Sequence, residues 1–194
     1  MSWVQRSTAD SGTLWISTTL GRVFVSHNAN AADPTTVSFT RIDTLDSNSP
    51  NRAISSISID PANPNRAYVS YLSYNELIVS SGQTPKPGHV FLVTYDPTAN
   101  GGAGGATWTN LEGTGTPIGD QPVNGVAFDK VSGDLYAATD FGVFRLAGAS
   151  AANPWTMAAP GLPVVTVAGL TLNPGARQLL AATHGRGAYQ LTLP

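Results

Sequence analysis

Residues 138–146 read ATDFGVFRL, and residues 182–191 read ATHGRGAYQL. Both stretches hold an alanine-threonine pair, a polar turn closed by glycine, and a run containing an aromatic residue. Either a functional motif is used twice or one structural unit recurs. The flanks decide it. DLYAAT (134–139) and QLLAAT (178–183) lead into the two turns, and GVAFDKVSG (125–133) and AGLTLNPGA (168–176) precede those. Two further copies lie upstream. One runs WVQRSTADSG (3–12), TLWIST (13–18), GRVFVS (21–26); the other runs ISSISIDPANPN (54–65), RAYVSY (66–71), GHVFLVTY (88–95).

Each segment alternates apolar and polar residues, is rich in Val, Ile, Thr, Tyr and Phe, and is bounded by Gly, Pro, Asn or Asp. That pattern reads as short strands joined by turns. A fourth segment opens on an aromatic in three copies: SFTRIDT at Phe39, TWTNLEG at Trp108 and PWTMAAPG at Trp155. The fourth copy contains no such segment. Four antiparallel strands repeating at intervals of roughly forty to seventy residues mark propeller blades. The expected fold is therefore all-β: a propeller-type region over 1–194 with blade-like repeats at about 1–46, 52–113, 122–158 and 164–194, the last lacking its outer strand. First strands should line a central channel. The longest insertions fall in loops, at 72–87 and 98–106. The chain is expected to form the C-terminal part of a larger propeller, with upstream blades or self-association covering its open flanks.

Strand pairs such as LYAATDFGVFRL and turn-then-Trp segments such as GGATWTNL resemble the blades of sialidase-like (BNR/Asp-box) propellers, the broad group that includes sortilin-type and xyloglucanase-type members. The resemblance covers essentially the whole chain. Its Asp boxes are degraded: Thr94-Tyr95-Asp96 keeps the start and Trp108 the end, Ser26-His27-Asn28 has Asn for Asp, and the third blade keeps only Trp155. In that family the box is structural, locking a turn by side-chain-to-backbone hydrogen bonds. The resemblance implies a glycoside-hydrolase alternative of sialidase-like or xyloglucanase-like type. TDFGVFRL is similar to a xyloglucanase-type segment that carries a catalytic Asp, which places Asp140 as the one candidate catalytic carboxylate. Inverting hydrolysis needs a second carboxylate about 6.5–9.5 Å away, and Glu76 or Asp120 would have to supply it.

Composition excludes much else. With 10 basic and 12 acidic residues, and Lys86 and Lys130 as the two lysines, no electrostatic footprint for nucleic acid exists. No apolar run of about 18 residues is present to span a membrane. The chain has no cysteine, so disulfides and thiolate chemistry are excluded. His27, His89 and His184 fall in different repeats without a zinc-type spacing. No cofactor is expected. Calcium is the nearest candidate, because residues 28–33 (NANAAD) supply hard oxygens, although a plain Asn-rich turn explains them better. The glycine-rich run at 101–105 precedes a strand rather than a helix, so it reads as a hairpin loop and not a phosphate loop. The four tryptophans read as core. The small-residue bias and the 11% charged share suit a secreted, extracellular or periplasmic protein, although the chain shows no signal segment.

In an up-and-down blade, the second-to-third turns and the blade-to-blade connections converge on one face. Arg22, Tyr74, Glu76, Asp120, Asp140, His184 and Arg186 are the polar residues expected there. Asp140, His184 and Arg186 occupy equivalent turns of adjacent repeats. The alternative is that Asp140 accepts hydrogen bonds in its own turn while Arg186 pairs with it or is solvated. The favoured expectation is a non-catalytic binding or scaffold module whose loop face meets a glycan or a protein. The rivals are part of a glycoside hydrolase using Asp140, and purely structural blades completing a larger propeller.

Overall fold

The computed structural model describes residues 1–76, 86–113, 118–158 and 160–194. Four antiparallel sheets follow one another along the chain. The first holds β1 (Trp3–Arg6), β2 (Leu14–Ser17), β3 (Val23–Ser26) and β4 (Thr40–Arg41). The second holds β5 (Ile54–Asp60), β6 (Asn63–Tyr71), β7 (Val90–Asp96) and β8 (Gly105–Asn110). The third holds β9 (Val123–Asp129), β10 (Asp134–Thr139), β11 (Gly142–Leu146) and β12 (Trp155–Met157). The fourth holds only β13 (Val167–Asn173), β14 (Gln178–Thr183) and β15 (Gly187–Thr192). This is a four-bladed propeller arrangement whose fourth blade is one strand short.

Local chemistry explains why the repeat folds this way. Each turn from first to second strand is closed by an Asp or Asn side chain that accepts a backbone N–H two or three residues on. Asp10 takes Gly12 at 3.0 Å, Asp60 takes Ala62 at 2.8 Å, Asp129 takes Val131 at 3.1 Å and Asn173 takes Ala176 at 3.2 Å. The recurring Thr-to-Gly turn of the opening motif has its own lock. Thr139 Oγ1 accepts the Phe141 N–H at 3.1 Å and donates to the Gly142 carbonyl at 3.1 Å; Thr183 donates to the Gly187 carbonyl at 2.6 Å. Gly142 and Gly187 have φ of 119° and 76°, a region that a side chain would strain. The repeated motif is a turn device.

The inner strands β1, β5, β9 and β13 surround the channel, and residues of all four line a cavity of about 490 Å³ at one end of it. A tryptophan on the fourth strand seals the seam between successive blades. Trp108 Nε1 donates to the Ile42 carbonyl, just past β4, at 3.4 Å. Trp155 Nε1 donates to the Leu111 carbonyl, just past β8, at 2.7 Å. Both rings are 1% exposed. Between the third and fourth blades the strap is ionic: both Asp129 carboxylate oxygens accept from the Arg177 guanidinium at 2.8 Å. That guanidinium, helped by Ser132, holds the Asp129 carboxyl far below the usual carboxylate range.

One sequence expectation changes, at Trp3. Phe39 takes the position equivalent to Trp108 and Trp155 but is 41% exposed, because no sheet within the described residues precedes the first blade to receive it. Trp3 is not core: it is 37% exposed and lines the channel, with Nε1 donating to the Ile57 carbonyl at 2.9 Å. The glycine-rich run at 101–105 lies in the β7–β8 hairpin, as expected. Part of the long 72–87 loop, residues 77–85, lies outside the described residues.

Candidate functional site

The turns from second to third strand and the starts of β5, β9 and β13 meet at one end of the channel. Each of these inner strands carries a one-residue bulge near its start. The ladder passes from Ile54 to Ser56, from Val123 to Gly125 and from Val167 to Gly169, leaving Ser55, Asn124 and Ala168 unpaired. Bulges re-aim the side chain they free and are enriched beside functional sites. All three freed residues line one cavity of about 320 Å³ at the channel mouth, together with Ser2, Leu72 and Thr166.

The mouth mixes apolar residues with neutral polar groups. Ser55 Oγ lies 2.7 Å from Ser70 Oγ and donates to the Val123 carbonyl at 2.5 Å, which ties the second blade to the third. Asn124 Nδ2 donates to Asp140 Oδ1 and to the Val167 carbonyl, each at 3.1 Å. Asp140 therefore stands beside the mouth with its carboxylate positioned by the bulged asparagine.

A second polar cluster fills the same face of the second blade. His89 is fully buried. Its backbone N–H donates to Glu112 Oε1 at 2.6 Å, and its Nδ1 lies 3.1 Å from the same oxygen. Its Nε2 lies 3.3 Å from Asp120 Oδ1, off the hydrogen-bond direction. Asp120 Oδ1 also accepts the Asn75 backbone N–H at 2.8 Å. Arg52, 1% exposed, bonds Asn75 Oδ1 at 2.9 Å and the Gly88 carbonyl. Burial lowers the affinity of that guanidinium for its proton, and Tyr71, Asp120 and Glu112 offset this in part. Burial also pushes the Tyr71 hydroxyl well up. These bonds hold Asn75, Gly88 and His89 to Arg52, Glu112 and Asp120.

The remaining candidates lie apart from these bonds. Arg22 closes the β2–β3 turn with its side chain exposed, Tyr74 is half exposed, and Glu76 is exposed at the edge of the described residues. His184 and Arg186 are exposed on the β14–β15 turn, where the His184 backbone N–H meets the Thr166 carbonyl at 2.8 Å. The hydrogen bond that holds the Asp140 carboxylate comes from Asn124. Sequence reading missed Asn124, Ser55, His89 and Glu112. Bulges leave no mark in composition, and His89 and Glu112 are separated by 23 residues.

Among the described residues no cluster of three or more His, Asp or Glu side chains is arranged for a metal ion. In the Asn-rich turn, Asn28 Oδ1 accepts the Ser38 N–H at 3.0 Å and Asp33 Oδ1 accepts the Thr35 N–H at 2.9 Å, so both oxygens serve the turn itself. Asp96 likewise accepts the Thr98 N–H at 2.8 Å. No described helix is long and apolar enough to cross a membrane.

No family model matches the sequence, and no curated relative is found by sequence. Solved structures do match. A GH74 enzyme from Niastella koreensis superposes with a TM-score of 0.61 at 15% identity, over 98% of this chain and 28% of that one. An auxiliary nutrient binding protein from Bacteroides thetaiotaomicron gives 0.58 at 11%, over 94% and 35%. The fold is that of a β-propeller. An ancestral GH74 enzyme gives 0.55 at 22% identity, over 94% of this chain and 22% of that one. The chain thus spans between 22% and 35% of the length of these propeller proteins. At such identities the likeness concerns the fold alone.

Proposed function

We propose that this chain is a non-catalytic binding and scaffold module of an extracellular or periplasmic propeller protein, and that its channel mouth takes a neutral, hydroxyl-rich ligand of the glycan class. The observation that carries this reading is the set of three bulges that turns Ser55, Asn124 and Ala168 into one mouth. Ser55 and Asn124 direct their protons to the Val123 and Val167 carbonyls and to Asp140. This leaves Asn124 Oδ1 to accept from a sugar hydroxyl and the Thr166 hydroxyl to donate or accept, and the adjoining apolar residues suit a sugar face. The acids of the loop face serve as internal acceptors: Glu112 for His89, Asp120 for Asn75, Asp140 for Asn124. The neighbours described as GH74 and nutrient-binding proteins fit a carbohydrate context by fold-level analogy.

Calorimetric titration against a panel of neutral oligosaccharides, with product analysis on the same samples, tests the reading. The expected result is saturable binding that Asn124→Ala weakens by about tenfold or more, since a hydrogen-bonding site left incomplete discriminates strongly, with no hydrolysis. Hydrolysis that disappears in Asp140→Asn would replace this reading with the glycosidase one. Absence of binding across the panel would leave the chain as structural blades.

A further inference from the structure

The fourth blade is missing a strand but not the place that strand would fill. In the first three blades the residue just past the fourth strand bonds the start of the third strand: Ile42 N–H to Val23 carbonyl at 2.9 Å, Leu111 to Val90 at 2.8 Å, Ala158 to Val143 at 2.9 Å. The carbonyls of Ile42 and Leu111 then accept the indole N–H of the next blade's tryptophan. Among the described residues no donor meets the Ala158 carbonyl. A cavity of about 250 Å³ lies between the third and fourth blades, lined by Val143, Leu162, Leu179, Ala181, Tyr189 and Leu191, and Ala158 packs against the cluster that holds Val143, Leu179 and Ala181.

The register identifies what is absent. Trp108 stands opposite Val93, three residues past Val90, and Trp155 stands opposite Leu146, three residues past Val143. Aligning β15 on β11 through their partners in β14 and β10 makes Ala188 the counterpart of Val143. The third residue past Ala188 is Leu191, which lines the cavity. Tyr189 lines it too, at the position of Phe91, whose ring meets Trp108 edge-on with centroids 6.2 Å apart. Val23 with Ile42, and Val90 with Leu111, each share a core cluster with a buried seam tryptophan. Val143 packs with Ala158 in a third cluster that holds no tryptophan. The backbone groups of Val143 face β12, so by the two-residue alternation those of Ala188 and Gln190 face the open edge.

We propose that this cavity is a socket for the tryptophan of an incoming β-strand. The strand pairs antiparallel with the free edge of β15, sets its tryptophan opposite Leu191, and donates the indole N–H to the Ala158 carbonyl. The partner is a polypeptide strand carrying tryptophan at that register. The occupant follows from continuity: the same seam is built twice in this molecule with the same chemistry, and β-strand addition uses main-chain bonds for affinity and side-chain pockets for selection. The socket lies away from the channel mouth, so this inference stands apart from the proposed ligand reading.

The test titrates the 1–194 chain into a fluorophore-labelled peptide with the sequence of residues 105–112, GATWTNLE, and into the same peptide with its tryptophan changed to alanine. Anisotropy reports binding, and amide hydrogen exchange reports where it occurs. The expected result is saturable binding that the alanine peptide loses by more than about tenfold, as for a buried aromatic anchor. Exchange at Gln190 should slow on binding while Arg145 is unchanged. No binding, or equal binding of both peptides, would overturn the proposal. So would a dimer that protects Gln190 without peptide, because a second copy would then own the edge.

Discussion

The third and fourth blades carry the same pattern of strands and turns and live in different surroundings. DLYAAT and QLLAAT occupy equivalent second strands, yet every residue of β10 is buried whereas β14 alternates between buried and exposed. Tyr136 and Leu180 are counterparts; the first is 1% exposed and the second 38%. β10 has sheets on both of its faces, contributed by the second and fourth blades, while among the described residues β14 is packed against the third blade alone. The charge pair that braces the third blade, Arg145 Nε to Asp134 Oδ2 at 2.7 Å, is replaced in the fourth by Gln190 and Gln178. Strand formation is thus encoded locally, by turns and alternation, and burial is conferred by neighbours.

The two blades should differ most at the seam. Trp155→Ala removes a buried ring and its hydrogen bond, and should cost about 3–5 kcal/mol in calorimetric unfolding. Tyr189→Ala, at the empty socket, should cost less than about 1 kcal/mol. Similar losses from both would mean that the fourth blade is as well packed as the third. The next largest effect lies at the ionic strap. Asp129→Ala should lower stability by about 2 kcal/mol, the scale of hydrogen bonds to charged groups, and proteolysis should then cut first in 164–194.

Acid should reach the same strap without mutation. The Asp129 carboxyl has its affinity for protons lowered in the folded state. Its contribution is therefore complete above the ordinary carboxylate value of about 3.9 and is lost progressively as pH falls below it. A pH series of thermal melts should show a steeper acid loss for the parent than for Asp129→Asn. The smallest effect is expected at Leu180→Ser, within about 0.5 kcal/mol, because that side chain already meets solvent. A larger loss would reveal a cover over β14.

Much of this was legible in the sequence. Threonine-to-glycine turns and Asp or Asn corners recur at fixed places, so four repeats and the missing fourth strand could be counted before any coordinates. The fate of particular side chains could not. Phe39 has the pattern of a seam aromatic but no preceding blade to enter, and Trp3 sits on an inner strand with one flank uncovered. The channel mouth was hidden for another reason. A single-residue bulge at Ser55, Asn124 or Ala168 changes where a side chain points without changing composition or periodicity enough to be read. The His89 cluster joins residues from two loops that only folding brings together.

The fourth blade repeats the third but leaves the β15 edge unpaired among the described residues. Amide hydrogen exchange on a monomeric sample of the chain tests it most directly, by comparing Arg145 with its counterpart Gln190 and Phe144 with Tyr189. Exchange should be slow at Arg145, Phe144 and Tyr189, whose N–H groups lie in ladders, and fast at Gln190, whose N–H faces the open side. Equal protection at Gln190 and Arg145 in a monomer would contradict it.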